Sequence, residues 1–351
     1  MLEIANQFQT TAPIISLEPY GMGHINRTYL AIASNGDKYI MQKINDAIFT
    51  NVDGLMYNIC GVTEYIAKQW QGGEILEVIN TKSGQPYLHC DEGYFRMYNF
   101  LSGQSVETGA TLQQFRLAGE GFGRFQRLLD GYPSDKLFEV IQHFHDTEKR
   151  FEAFTKAVND DVCGRVAHCR EEIDFYLSRK GYCRRVLDLM KEGQIPQRVT
   201  HNDTKPNNVL VEESENKVVA VIDLDTIMPG SMLYDFGDSI RYGANTAAED
   251  EQDLQKVAFS KDYFEAYCRG FLPEVKDMVT SGEKENLHFG AILMTFECGM
   301  RFLTDYLSGD TYFRIHREGH NLDRCRTQIA LCKDMERNEQ YMKDTVKKYL
   351  Q

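Results

Sequence analysis

The pattern of apolar and polar positions changes character near residue 102 of the chain. Before this point, three short apolar runs have the composition of β-strands: residues 29–32, 38–41 and 94–101. The polar segment 34–37, between the first two runs, has residues typical of a tight turn. One helical pattern intervenes near residues 62–70, where apolar side chains recur at helical spacing. The first 102 residues are therefore predicted to be mostly β-sheet with one helix.

After residue 102 the apolar positions follow the helical period, as in the stripe of Phe115, Phe122 and Phe125. Further helical patterns cover residues 144–154, 171–191, 261–271, 287–307 and 322 onward. Two short β-like runs around a polar turn predict a hairpin at residues 209–223. We therefore expect an α+β fold with two lobes, a β-rich lobe at residues 1–102 and a larger helical lobe at residues 103–351.

Composition and charge restrict the classes of partner. The 351 residues carry a formal net charge of −13, which argues against nucleic acid or an anionic membrane surface as the main partner. The charge does not exclude a phosphorylated nucleotide, whose phosphates are held by a few local donors and a metal. The nine cysteines are scattered without a CxxC pair, so we expect reduced thiols in a cytoplasmic protein. We expect neither a signal peptide nor a membrane span, because the first residues lack a basic segment and the apolar run 218–222 is short.

The most informative residues flank the predicted hairpin. Transfer of a phosphoryl group needs a residue that takes the proton of the acceptor hydroxyl, and metal ions that neutralise the phosphate oxygens. Asp203 is the candidate base, and Lys205 is placed to contact the transferring phosphoryl group as a point charge. Asn208 and Asp223, one at each end of the hairpin, offer the hard oxygen ligands that Mg²⁺ prefers.

No single residue of this set establishes the chemistry. A solvated acid on a loop would account for Asp203 by itself. The combination is different, because the base, the lysine, the asparagine and a second aspartate all fall around one hairpin, which is the arrangement of a kinase-like centre. His201 is expected to brace the loop rather than to react.

Three segments carry a resemblance to known enzymes: residues 201–208, 222–229 and 234–241. They resemble the aminoglycoside phosphotransferase and choline kinase branch of the protein-kinase-like fold, and they are closer still to N-acetylhexosamine 1-kinases. The resemblance spans Gly21 to about Arg317 and implies a protein-kinase-like bilobal fold. It also implies ATP and Mg²⁺ as cofactors, and transfer to the anomeric hydroxyl of an N-acetylhexosamine, GlcNAc or GalNAc. Asp235, although followed by Phe-Gly, comes too late in the chain to be the metal ligand and is expected to brace the catalytic loop.

The same resemblance assigns nucleotide contacts to the first lobe. The turn that contains Gly21, Gly23 and Asn26 would let the backbone approach the phosphate oxygens. Asn26 stands where a full glycine-rich loop has its third glycine, so the phosphates are expected to be held less tightly there.

The other nucleotide contacts are expected from a strand, the helix and the connection between the lobes. Lys43 matches the strand lysine that pairs with phosphate, and Glu64 on the helix is its expected carboxylate partner. Residues 94–101 would form the hinge that receives the adenine base, with Met97 and Tyr98 among its walls.

The helix predicted at 287–307 is apolar around most of its circumference but carries Glu297, Arg301 and Asp305 on one face. An internal ladder of ion pairs or a solvated face explains this stripe as well as a lining for a polar ligand does. The resemblance favours the ligand lining, because it assigns sugar contacts to this face and to the glycine-rich turn. The expected substrate contacts are His24, Asp203, Arg301 and Tyr312.

Two other functions stay open at this point. A kinase for an amino alcohol or an aminoglycoside would use the same catalytic centre, although Arg301 is a poor neighbour for a cationic acceptor. A non-catalytic nucleotide-binding module is the third hypothesis, and the presence of Asp203, Asn208 and Asp223 argues against it. The sugar epimer, the preference for ATP or GTP and the oligomeric state do not follow from the sequence.

Overall fold

The computed structural model of the protein describes residues 1–21, 25–70, 72–106 and 109–351. These residues form ten β-strands and eleven α-helices. The strands are β1 (Ile14–Pro19), β2 (Arg27–Ala33), β3 (Lys38–Lys43), β4 (Leu88–Cys90), β5 (Gly93–Asn99), β6 (Gln104–Ser105), β7 (Arg198–Thr200), β8 (Val209–Glu212), β9 (Lys217–Val221) and β10 (Met228–Gly230). The helices are α1 (Leu2–Ala5), α2 (Val52–Gln69), α3 (Leu112–Leu128), α4 (Thr147–Asp160), α5 (Arg170–Ser178), α6 (Tyr182–Lys191), α7 (Met232–Gly243), α8 (Lys261–Val275), α9 (Ser281–Leu307), α10 (His320–Arg337) and α11 (Glu339–Tyr349). A β-rich first region followed by a helical region confirms the expected α+β fold.

The first five strands form one antiparallel sheet in the order β1–β2–β3–β5–β4. Successive side chains of a strand point to opposite faces, so the central strands contribute to two separate cores. Met41 and Met97 lie in an outer core together with α1, whereas Ile40 and Tyr98 lie in an inner core shared with α2 and α3. The inner face of the sheet is therefore the one turned toward the rest of the molecule.

Helix α2 begins at Val52, ten residues before the predicted helical pattern, and Asn51 caps its first turn. The pattern missed this part because Asn58, a polar residue, lies on the buried face of the helix. Asn58 Nδ2 donates to the carbonyl oxygens of Phe138 and Ile227 at 2.8 and 2.9 Å, and Oδ1 accepts from the Phe138 N–H at 2.9 Å. These three hydrogen bonds fasten α2 to the helical lobe.

The helical lobe is organised around the long buried helix α9, which contacts α4, α7, α10 and α11, while α3 packs along α8. The hairpin of β8 and β9 pairs with β6, and β10 pairs with β7. The helices expected at 171–191 and from 322 onward are each two helices, α5 with α6 and α10 with α11. Gly181 lies at the first break and Asn338 at the second, where each interrupts the helix. The division after residue 102 stays a prediction, and the inner core crosses it.

Each helix of the described ranges is too short or too polar to cross a membrane. All nine cysteines lie in these ranges and are free thiols. Burial raises the pKa of Cys60 to about 11 and that of Cys183 to about 12, so these two thiols stay protonated near neutral pH and act as small apolar residues.

Candidate active site

The loop that carries the candidate base connects β7 to β8 and is held by one buried carboxylate. Asp235, in the first turn of α7, accepts hydrogen bonds from the backbone N–H groups of His201 and Asn202, both at 2.8 Å. Gln126 Nε2 donates to the same carboxylate at 2.7 Å. Desolvation raises the pKa of Asp235, and His201 with these donors opposes that effect. The contacts confirm the prediction that Asp235 braces the loop.

His201 is also structural, as expected. Its Nε2 lies 2.9 Å from the carbonyl oxygen of Ile222, and its Nδ1 accepts from the Asp203 N–H at 3.3 Å. The ring is fully buried, with its edge against Phe122 and Phe125. Because Nδ1 accepts a hydrogen bond, Nε2 carries the proton that is donated to Ile222. His201 therefore joins the loop to the end of the hairpin.

Asp203 projects from this loop with both carboxylate oxygens oriented. Lys205 Nζ lies 2.8 Å from Oδ1, and Asn208 Nδ2 lies 3.2 Å from Oδ2. Asn208 Nδ2 also donates to the Asp203 carbonyl oxygen at 2.8 Å. Within the described residues the Asn208 side-chain oxygen accepts no hydrogen bond, so it is available to a cation. The side chain of Asp203 is 27% exposed, which leaves it within reach of an acceptor hydroxyl.

Lys205 is paired with Asp203 and also interacts electrostatically with a second acid, Asp238, which is buried. Desolvation lowers the pKa of Lys205, but the carboxylates of Asp203 and Asp238 outweigh this effect and leave the pKa raised. Asp238 is itself paired with Arg241, at 2.9 Å between Oδ1 and Nε. The lysine is therefore a fixed positive charge beside the candidate base.

Asp223 follows β9 in a left-handed backbone conformation, with φ of 61° and ψ of 59°. The N–H of Ile222 donates to the carbonyl oxygen of Asn208 at 2.9 Å, so the two predicted metal ligands occupy neighbouring positions at the open end of the hairpin. Although Asp223 is exposed to solvent, desolvation by the surrounding protein, followed by the carboxylates of Asp225 and Asp203, raises its pKa to about 6. A bound cation would relieve this crowding of negative charge.

Among the described residues, no group of three or more His, Cys, Asp or Glu side chains is arranged to hold a metal ion by itself. A divalent cation would take a carboxylate oxygen from Asp223 and the amide oxygen of Asn208, with phosphate and water as the remaining ligands. Mg²⁺ is usually bound in this way, through few protein ligands and substrate phosphates. The donor set therefore fits Mg²⁺.

Sequence reasoning missed the cation that faces these carboxylates, which is Arg96 on β5. Its side chain is 1% exposed, and Nη2 lies 2.5 Å from Asp225 Oδ1. Nε and Nη2 also donate to Gln42 Oε1 at 2.9 and 2.8 Å. Asp225 receives a second donor from the first lobe, since Asn26 Nδ2 lies 2.5 Å from its Oδ2. Arg96 lies among aromatic residues of a predicted strand, and this pattern does not indicate a partner. Asp225 is 129 residues further along the chain.

The expected pair of Lys43 with Glu64 is wrong. Lys43 shares the strand face of Met41 and lies over the ring of Phe95, with Nζ 5.8 Å from the centroid, so it belongs to the outer side of the sheet. Glu64 is exposed on α2. No ion pair joins the two residues in the described ranges. The alternation of the strand places Gln42, not Lys43, on the inner face.

The same alternation separates the two expected walls of the adenine site. Met97 is fully buried in the outer core, so its assignment to a wall of the cleft is wrong. Tyr98 lies on the inner face, where Arg96 sits 5.2 Å from the centre of its ring. A contact of Tyr98 with the base stays a prediction.

The glycine-rich turn is only partly within the described residues. Gly21 has φ of +75°, a conformation that favours glycine. Gly23 and His24 lie outside the described residues, and their predicted contacts stay predictions. Asn26 is already engaged, because its Oδ1 accepts from the Asn45 N–H at 2.9 Å while its Nδ2 binds Asp225. It therefore joins the two lobes rather than offering a free amide to a phosphate.

Of the residues expected to contact the substrate, the structure brings Arg301 and Tyr312 together. The guanidinium carbon of Arg301 lies 5.7 Å from the ring centre of Phe144, 5.8 Å from that of Tyr312 and 5.6 Å from that of Phe313. In the described residues no carboxylate is within ion-pair distance of Arg301, and the Tyr312 side chain is exposed. An arginine held by rings and without a carboxylate is a suitable hydrogen-bond donor for a ligand.

Glu297 and Asp305, the two acids that share a face of α9 with Arg301, make structural contacts. Glu297 is fully buried and binds His145 Nδ1 at 2.8 Å and the hydroxyl of Thr147. The carboxylate of Asp305 accepts backbone N–H bonds at 2.8–2.9 Å from residues 311–313, which fixes the loop that carries Tyr312. His145 Nε2 is buried and has no partner among the described residues. His145 could not be identified from sequence patterns, because its partner Glu297 lies 152 residues further along the chain.

The comparisons with known proteins agree with this geometry. A sequence model described as the APH phosphotransferase enzyme family matches residues 16–275. An aminoglycoside phosphotransferase from Alicyclobacillus acidocaldarius is similar in structure, with a TM-score of 0.59 and 11% identity over 99% of this chain and 95% of that chain. Amicoumacin kinase hAmiN, solved with AMP-PNP and Ca²⁺, has a TM-score of 0.60 and 13% identity over 94% and 92% of the two chains. Choline kinase from Cryptosporidium parvum has a TM-score of 0.54 and 14% identity over 95% and 93%.

At these identities the structural likeness establishes the fold, which is protein-kinase-like as expected. The family model covers more than half of the chain, including the loop with Asp203 and the position of Asp223. The chain therefore belongs to the APH phosphotransferase enzyme family and is an enzyme that transfers a phosphoryl group to a hydroxyl acceptor.

Proposed function

We propose that this enzyme uses Mg-ATP to phosphorylate the anomeric hydroxyl of an N-acetylhexosamine, giving the sugar 1-phosphate. The observation that carries the proposal is Arg301, an arginine enclosed by three aromatic rings and free of a carboxylate partner in the described residues. Its N–H groups suit the acetamide oxygen and the ring hydroxyls of such a sugar, and the exposed ring of Tyr312 offers a face for stacking.

Arg301 lies on the buried helix α9, which packs against α7, the helix that carries Asp235 and Asp238. Burial raises the pKa of Cys298, three residues earlier, to about 11, and Arg241, Arg301 and Asp238 all act on this thiol. Asp238 in turn acts on Lys205, the ion-pair partner of the candidate base. The proposal places the anomeric hydroxyl of a sugar bound at Arg301 beside Asp203.

In the proposed reaction, Asp203 takes the proton of the anomeric hydroxyl as its oxygen forms the new bond to the γ-phosphorus of ATP. The bond from that phosphorus to the bridging oxygen breaks, and ADP leaves. Lys205 holds positive charge beside the base, and Asn208 with Asp223 would bind Mg²⁺. When bound, Mg²⁺ neutralises the charge of the phosphate oxygens.

Positive charge around the acceptor site disfavours the cationic alternatives. Desolvation and the nearby Arg301 lower the pKa of Arg150, while Glu297, Tyr312 and Asp146 oppose this effect. Arg150 donates to the carbonyl oxygen of Phe144, whose ring also contacts Arg301. Two guanidinium groups around one aromatic residue are unsuited to the ammonium groups of an amino alcohol or an aminoglycoside.

The test is a coupled ADP-release assay with Mg-ATP against GlcNAc, GalNAc, glucose, choline and kanamycin, with NMR of any product. We expect turnover confined to the N-acetylhexosamines, with the new phosphate at the anomeric carbon. Turnover on choline or kanamycin alone would overturn the sugar assignment. The absence of turnover on all five, with ATP still bound, would favour a non-catalytic nucleotide-binding module or a different acceptor.

A further inference from the structure

A strand lysine pairs with the nucleotide phosphates in protein-kinase-like sites, and the third strand of this sheet cannot supply it. Lys43 lies over Phe95 on the outer face, and the inner-face residue next to it is Gln42. In the register of β3 and β5, Gln42 is directly opposite Arg96. The inner face thus carries one buried cation at this level, and it comes from β5.

Arg96 is bound in a way that leaves one donor group unused. Nε and Nη2 bind Gln42, and Nη2 also contacts Asp225. Nη1 is buried and has no hydrogen-bond partner in the described residues. A buried donor of a charged group without a partner is costly, and such groups usually meet a ligand, an ion or water. The guanidinium that carries this unused donor is paired with Asp225 and interacts electrostatically with Asp223, the candidate metal ligand.

We propose that Arg96 binds the phosphates of the nucleotide, in place of the strand lysine, and that Gln42 is its positioning residue. The inference rests on the nucleotide-dependent transfer proposed above, but not on the identity of the acceptor. Nη1 donates to a phosphate oxygen, while Gln42 and Asp225 keep the guanidinium oriented. A guanidinium can do this from a buried strand because its planar donors serve protein and phosphate at the same time.

The test is isothermal titration of the full chain with adenosine, AMP and ADP, each with and without Mg²⁺. Arg96→Met is expected to weaken ADP binding roughly 10- to 100-fold, the effect of losing one or two charge-assisted hydrogen bonds, and to leave adenosine binding unchanged. Lys43→Met is the matched control and should bind ADP as the wild type does. The double variant Gln42→Lys, Arg96→Met returns a cation to the inner face and should recover part of the ADP affinity.

Other outcomes would overturn the inference. An equal loss for adenosine and ADP in Arg96→Met would make Arg96 a purely structural residue, and a loss in Lys43→Met would return the phosphate contact to the lysine. A loss of ADP affinity that is seen only with Mg²⁺ would mean that Arg96→Met disturbs the carboxylates at the candidate metal site. If Arg96→Met does not fold, adenosine and ADP binding are compared in Arg96→Lys, which keeps the charge. An equal loss for the two ligands would again make Arg96 a purely structural residue. Failure of wild-type protein to bind ADP would instead count against the proposed function.

Discussion

Arg96 and Asp225 form a buried ion pair, with Nη2 2.5 Å from Oδ1, between the sheet of the first lobe and the segment that follows the catalytic hairpin. Their side chains are 1% and 5% exposed. Asn26 binds the other oxygen of the same carboxylate. One aspartate of the helical lobe therefore holds two elements of the first lobe, its central strands and the end of its glycine-rich turn.

Removal of this aspartate should destabilise the protein strongly. Asp225→Ala leaves the guanidinium of Arg96 buried without its carboxylate, which costs about 3–5 kcal/mol of unfolding free energy. The control is Asp160→Ala, which breaks an exposed pair with Lys156 and should cost less than about 1 kcal/mol. Urea unfolding followed by far-ultraviolet circular dichroism measures both. Equal costs for the two variants would show that the buried pair does not stabilise the fold.

The assignment of Asp203 as the base predicts a loss of turnover without a loss of nucleotide affinity. Asp203→Asn keeps the shape of the side chain but removes the carboxylate that takes the proton, so kcat should fall by roughly 10²–10⁴. The KM for ATP should change little, because Asp203 faces the acceptor. Steady-state kinetics with saturating acceptor checks this, and a loss of kcat below about tenfold would contradict the assignment.

Arg301 should act on the acceptor and not on ATP. Arg301→Ala is expected to raise the KM of the sugar by roughly 10- to 100-fold through loss of charge-assisted hydrogen bonds. The control is Arg184→Ala, a half-exposed arginine that pairs with Glu148 and Asp188. Kinetics with each substrate varied in turn separates the two effects. A parallel rise in the KM of ATP would exclude a role for Arg301 on the acceptor side.

Stability should fall in mild acid because of one buried histidine. Desolvation lowers the pKa of His288 from its ordinary 6.5 to about 4, and the groups that face it are Glu339, Lys343 and Arg185. Between these values the unfolded chain binds more protons than the native state, so the free energy of unfolding decreases as pH falls, by roughly 2–3 kcal/mol. Urea unfolding across this range should show a shallower pH dependence for His288→Gln. An unchanged slope would mean that other groups cause the loss.

Local motifs were sufficient to predict the order of the lobes and the loop around Asp203, because each feature lies within a few consecutive residues. The catalytic loop and the end of the hairpin are adjacent as expected, and Asp235 braces them. The nucleotide contacts of the sheet were harder to predict. Gln42 or Lys43 faces the cleft according to which side of the sheet α1 covers. The residues of β3 do not indicate which side that is.

Contacts between distant segments escaped prediction for a similar reason. The partner of Arg96 follows the hairpin, and the carboxylate that orients His145 lies on α9. Glu297 and Asp305 share a helical stripe with Arg301, but only the folded chain shows that both acids are hydrogen-bonded while Arg301 has no carboxylate partner in the described residues. The start of α2 was missed because its buried face includes Asn58.

The three hydrogen bonds of Asn58 restrict how the two lobes can move apart. They tie α2 to Phe138 on one side and to Ile227, just beyond the candidate metal ligands, on the other. Any opening that preserves these bonds must pivot about Asn58. Asp225 ties Asn26, just before β2, and Arg96 to the same lobe, so an opening at the hairpin of β1 and β2 must also break these contacts. The two lobes are therefore fastened at two separate points, one at Asn58 and one at Asp225.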